Sequence, residues 1–171
     1  MFSIRTLSYR VATGLALISA VACSSKKDDA APPAEPARGM SWTADGTALS
    51  TTTTQSQKLG NLISLSGTVT SGLSVSFVNL TIPNAVGTYA FSPTSTAAAV
   101  YSANSGSSAN SGSSIMVYNA GPSLGGTVTG AGTIVVTALT ATNITGTFTF
   151  TGIASTGAAK SVTNGTFNAS L

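Results

Sequence analysis

Cys23 is the only thiol in the chain, and there is no histidine to partner it. A Cys-His pair or a Ser-His-Asp triad uses an imidazole as its base, so neither is available. Carboxylates are almost as scarce. Asp28, Asp29, Glu35 and Asp45 are the four acidic side chains, and none follows Asp45. Glycoside hydrolysis needs two carboxyl groups flanking one bond, and the long stretch beyond Asp45 supplies none. Zinc takes thiolate, imidazole or carboxylate donors, and calcium takes several carboxylates; the spacing offers no such set. The expected catalytic residues, metal ligands and cofactors are therefore none.

The nucleophile that survives this elimination is a serine activated by Lys58 or Lys160. In the usual helical arrangement the serine stands three residues before the lysine, but Gln55 and Gly157 occupy those positions. Both lysines read more simply as solvated surface residues. The glycines of Gly125-Gly126 and Gly130-Ala131-Gly132 have no lysine and no following helix, so turns and a bulge suit them better than a phosphate cradle. Asn79-Leu-Thr81, Asn143-Ile-Thr145, Asn164-Gly-Thr166 and Asn168-Ala-Ser170 fit the glycosylation pattern, which a threonine-rich chain produces by chance.

Cys23 has a different chemistry in prospect. Arg5 and Arg10 precede an apolar run from Val11 to Ala22. That run falls short of the ~20 apolar residues that span a bilayer, and it ends in small residues as a signal peptide does. Ala20-Val21-Ala22-Cys23 resembles the lipobox of bacterial lipoproteins. The resemblance implies cleavage before Cys23, diacylglycerol on its sulfur, acylation of the new amine and attachment to a membrane. Two or more acyl chains anchor a protein stably where one does not. The lone cysteine also rules out an intramolecular disulfide.

Residues 1–22 are thus expected to be a signal peptide and 23–39 a lipidated tether. Arg5 and Arg10 leave with the signal. The remaining side chains are Lys26, Lys27, Arg38, Lys58 and Lys160 against Asp28, Asp29, Glu35 and Asp45. A balance so close to neutral is no footprint for nucleic acid. Lys27-Asp28-Asp29 behind the cysteine resembles the surface-export signal of Bacteroidota lipoproteins; it also reads as a charged, soluble tether. The expected address is the outer membrane, by way of the lipid. Ala30-Ala-Pro-Pro-Ala-Glu-Pro-Ala-Arg38 is a stalk, and from Cys23 to Gly39 it reaches roughly 50 Å at most.

Residues 40–171 form the folded domain. Their Thr, Ser, Val, Gly and aromatic content, with few residues suited to helix surfaces, predicts an all-β fold. Ile144-Thr-Gly-Thr-Phe-Thr-Phe-Thr151 alternates, with Ile144, Phe148 and Phe150 on one face and threonines on the other. In Leu73–Ile82 the apolar phase slips from Leu73, Val75, Phe77 to Val78, Leu80, Ile82, which predicts a β-bulge near Phe77. Further strands are expected at Leu59–Val69, Thr88–Phe91, Ala98–Tyr101, Ile115–Tyr118, Thr133–Leu139 and Val162–Leu171. Short strands with Gly, Pro and Asn between them predict a single antiparallel β-sandwich or β-barrel. The duplication Ala103–Ser108 and Ala109–Ser114, Ala-Asn-Ser-Gly-Ser-Ser twice, reads as a loop between two strands.

Gly132-Thr-Ile-Val-Val-Thr137, Ile144-Thr-Gly-Thr-Phe-Thr-Phe150 and Val162-Thr-Asn-Gly-Thr-Phe167 resemble the closing strands of small Bacteroidota lipoproteins of unknown function. Trp42-Thr-Ala-Asp-Gly46 is similar to the opening aromatic and Asp-Gly turn of that family. The resemblance covers about a third of the mature chain and implies no functional residues. Two functions stay open. One is a non-catalytic surface module for a glycan or protein partner, with Trp42, Tyr101 and Tyr118 either stacking on sugar rings or packing in the core. The other is a small barrel that carries an apolar ligand in its lumen.

Overall fold

A computed structural model of the 171-residue chain describes residues 37–104, 115–122 and 130–171. The signal peptide, Cys23, most of the tether, most of the hexapeptide duplication and Gly125-Gly126 lie outside the described residues. Eleven strands account for the folded part: β1 Gly39–Ala44, β2 Thr47–Thr51, β3 Thr54–Leu59, β4 Leu62–Ser71, β5 Ser74–Pro83, β6 Gly87–Phe91, β7 Ala98–Asn104, β8 Ile115–Ala120, β9 Ala131–Leu139, β10 Asn143–Ile153 and β11 Ala159–Ser170.

Three pairs of these strands continue one another. β2 runs on to β3 past Thr52 and Thr53, β6 to β7, and β8 to β9 along the same edge of β10. Counted this way, eight antiparallel lines follow one another in chain order, and the last, β11, pairs with the first, β1. The result is a nearly closed up-and-down barrel, which decides between the two architectures left open by the sequence. Where β2 passes to β3 the pairing partner changes from β1 to β4, and there the wall is incomplete.

Local chemistry explains the tight connections. Ala44 pairs with Thr47, so Asp45 and Gly46 are a two-residue hairpin loop, with φ of 46° and 82°. Positive φ at both positions matches the twist of the flanking strands, and Asp-Gly tolerates it at low cost. The sequence reading missed β2 and β3 as strands because Thr47–Leu59 is polar and mostly exposed, with no apolar stripe to reveal it. It also passed over β1, although Met40, Trp42 and Ala44 alternate there as a buried stripe.

Alternation places the core. Trp42, Ile63, Leu65, Val78, Leu80, Ile82, Ile134, Val136, Ile144 and Val162 are essentially inaccessible on the inner faces. Ile144, Phe148 and Phe150 point inward and the threonines of β10 outward, as their period of two requires. The expected bulge near Phe77 is absent. β5 pairs with β4 and with β7 without a shift, so Val75 and Phe77 face outward and Leu73 sits exposed in the turn. Real shifts occur elsewhere: β11 carries one extra residue against both β1 (between Ser41 and Thr43) and β10 (between Phe148 and Phe150), and β9 carries one extra residue against β10 between Thr145 and Gly146. Asn164, at φ 51°, is in the added stretch of β11 opposite Thr149.

Candidate functional site

The aromatic residues singled out for sugar stacking are core residues. Trp42, Tyr101 and Tyr118 are 1%, 4% and 8% exposed. Tyr101 and Tyr118 are direct cross-strand partners on β7 and β8, with ring centroids 6.1 Å apart. A buried ring has no free face for a sugar, so the packing reading holds for all three. Phe148 lies near-parallel to Phe150 and to Phe167, at 6.3 and 6.4 Å, and Phe91 meets Phe150 edge-on at 6.0 Å. An eight-stranded barrel is just wide enough for side chains to fill, and these rings fill this one from the β9–β11 side.

The close packing of the rings depends on glycines. Phe148 faces Gly165, Phe167 faces Gly146 and Phe150 faces Gly132, each as a direct cross-strand pair. A Cβ at Gly165 would stand 2.5 Å from Cδ2 of Phe148, and one at Gly146 would stand 2.5 Å from Cζ of Phe167. The Gly-x-Phe pairs of β10 and β11 therefore interlock in opposite directions. Gly132 is likewise a close-approach position and no turn, because a Cβ there would meet Phe150 Cβ at 2.4 Å.

Lys160 is not the freely solvated residue that the sequence suggests. Its Nζ lies 2.6 Å from Asp45 Oδ2 and 5.6 Å from the centroid of Tyr118. The second Asp45 oxygen accepts from the Ser161 amide at 3.3 Å. The hydrogen bond to Lys160 holds the Asp45 carboxyl below its ordinary value, and the same bond raises the Lys160 ammonium above its own. Asp45 remains about half exposed. This pair fastens the β1–β2 turn to the start of β11, and as a solvated ion pair it has the chemistry of a clasp.

Two open depressions stand out among the described residues. The larger, of about 890 Å³, is lined by Ser and Thr of β1, β2, β4 and β9–β11 with Arg38 and Asn168, and it reaches the inward-facing Met40, Val69 and Phe167. The hydroxyls are partly paired among themselves, Ser41 with Thr166 at 2.8 Å and Thr137 with Thr145 at 3.2 Å. A smaller one of about 410 Å³ shares Thr147 and Thr166 with it and continues to Thr133, Thr149 and Asn164. Sequence reasoning passed over this surface because single threonines carry no signal; the regular Thr-x-Thr spacing of β10 was its visible trace. The side chains at the groove, hydroxyls, amides and a guanidinium, can donate and accept hydrogen bonds but provide no general base.

Among the described residues, no group of three or more His, Cys, Asp or Glu side chains is placed to hold a metal ion. No curated protein and no solved structure matches the chain. Residues 42–169 match one family model, which spans the barrel from β1 to the end of β11. The chain belongs to the family described as Domain of unknown function (DUF6252).

Proposed function

We propose that this is a lipid-anchored envelope protein of the Bacteroidota type, whose barrel is a non-catalytic module that binds a partner on its outer surface. The observation that carries this reading is where space is found. Trp42, Phe91, Phe148, Phe150 and Phe167 occupy the barrel interior, while the 890 Å³ groove lies open beside the hydroxyl-bearing strands. An apolar carrier would need the reverse. A surface of paired hydroxyls with one guanidinium suits a neutral, hydroxyl-rich partner such as a glycan, met by many shared hydrogen bonds. The absence of histidine and of acids after Asp45 supports a binding role over catalysis.

The anchor and the binding role are tested separately. Cys23→Ser, followed by fatty-acid labelling and membrane fractionation, is expected to abolish both label and attachment; continued labelling would defeat the lipid reading. For the groove, purified protein is titrated with envelope polysaccharide, with Thr147→Arg and Thr166→Arg as blocking variants. Binding that survives both substitutions, or an apolar compound extracted stoichiometrically from the purified barrel, would defeat the surface-module reading.

A further inference from the structure

The barrel has a distinct end on the side where the tether enters. Gly39 begins β1 and pairs with Asn168 of β11. Met40 lies level with Gly67 of β4, where an added Cβ would stand 2.9 Å from the Met40 sulfur. Two residues further along β11, the Ser170 carbonyl accepts from Ser56, which pairs with Leu65. The β4 strand therefore continues past the entry point of the chain, and Leu62 extends five residues, or about 17 Å, beyond Gly67.

That projecting end is apolar and basic. Leu59, Leu62 and Pro83 form one cross-strand row on β3, β4 and β5. Val86 follows in the adjoining loop, which is tied to the β3–β4 turn by the Asn84 amide donating to the Asn61 carbonyl at 2.8 Å. Leu59 and Val86 are 55% and 58% exposed. Lys58 adjoins Leu59 and is exposed, and Arg38 is held to Ser170 beside the chain entry. The one acidic side chain among the described residues, Asp45, is at the opposite end of β1, already neutralised by Lys160.

We propose that this end docks on the headgroup region of the bilayer to which the chain is anchored, with Leu59 and Val86 entering the interface and Lys58 facing lipid phosphates. The inference rests on the lipid-anchor reading. A stalk of at most roughly 50 Å keeps the domain close to the membrane, so the contact is intramolecular and a weak apolar and electrostatic attraction suffices to populate it. The tether enters at the docking end, and the approach requires no turning of the barrel. The exposed Leu73, Ile115 and Val117 then belong to other elements, the β4–β5 turn and the start of β8.

Lipidation would leave no free thiol, so a single introduced cysteine can be labelled uniquely. The full lipidated chain carrying Asn61→Cys, or Ser74→Cys in the opposite turn, is labelled with a fluorophore. It is then reconstituted into vesicles of phosphatidylethanolamine and phosphatidylglycerol containing nitroxide lipid. Position 61 is expected to be quenched several-fold more than position 74. Lys58→Gln should weaken docking about fivefold, the effect of one basic residue at an anionic surface. Leu59→Gln with Val86→Gln should abolish it, with the melting temperature of each variant confirming the fold. Sedimentation with vesicles but equal quenching at the two positions overturns the docking and leaves the anchor standing. Stronger quenching at position 74 overturns it as well, as does protection of position 61 from an aqueous quencher without vesicles, which would reveal a protein contact or a second copy. A freely titrating Cys23 thiol without sedimentation overturns the anchor and the docking together.

Discussion

Replacing Gly165 by alanine tests whether the interlocked Gly-x-Phe pairs hold the closing sheet together. Gly165 is not at positive φ, so the substitution adds volume without straining the backbone conformation. The new methyl would stand 2.5 Å from Phe148 Cδ2, 2.6 Å from its Cε2 and 2.5 Å from its carbonyl oxygen. Phe148 cannot step aside freely, because Phe150 and Phe167 flank it at 6.3 and 6.4 Å. Overpacking of this kind costs about 1–3 kcal/mol, and simultaneous contact with ring and backbone places Gly165→Ala in the upper half, about 2–3 kcal/mol. For a domain of this size that lowers the melting temperature by about 10 °C. Urea midpoints at constant m-value, with thermal melting by circular dichroism, measure it. In a Phe148→Leu background the same change should cost at least ~1 kcal/mol less, since the ring share of the clash is gone. Gly72→Ala is the comparison: that site is at φ 58° with nothing within 4 Å, so it should lose about 1 kcal/mol from backbone strain alone. A Gly165→Ala protein within ~0.5 kcal/mol of the parent would refute the reasoning.

Asp45→Asn removes the ion pair with Lys160 while keeping a residue that accepts positive φ; the half-exposed carboxylate makes the expected loss only about 0.5–1 kcal/mol in urea titrations. The Asp45 carboxyl is lowered on folding, so its contribution is present above the unfolded value near ~4 and fades as pH falls through the folded one. Lys160 is raised, so its contribution is complete below ~10 and fades as pH rises through the folded value. Between these windows, from about pH 5 to 8.5, melting temperature should stay within ~5 °C; a larger drift in a differential scanning series would contradict this assignment. Deleting Ala109–Ser114 should change stability by well under ~1 kcal/mol, because closing the connection between the paired residues Asn104 and Ile115 depends only weakly on its length. A loss of several kcal/mol at the urea midpoint would mean that the segment is packed.

Composition and alternation carried the all-β reading, since a chain with so few helix-surface residues and strict Ile144–Thr151 alternation has one economical way to bury its apolar side. Most strand positions followed from the same rule. Polar β2 and β3 escaped it, because edge segments with little burial leave no periodic trace. Val75 and Phe77 misled it, because apolar residues also occupy the outer face, and a phase slip in hydrophobicity is not a slip in hydrogen bonding.

The absence of histidine and of late carboxylates was legible one residue at a time, and so were the chemical classes it disfavours. What the tertiary structure decided were relations between residues far apart in the chain. Lys160 became the partner of Asp45 across 115 positions. Trp42, Tyr101 and Tyr118 became core because their strands turn them inward. The repeated Gly-x-Phe of β10 and β11 is plain in the sequence, yet two antiparallel strands could meet in many registers. Only in the observed one does each phenylalanine ring cover the glycine of its neighbour, and that pairing is settled by which long-range packing fills the barrel.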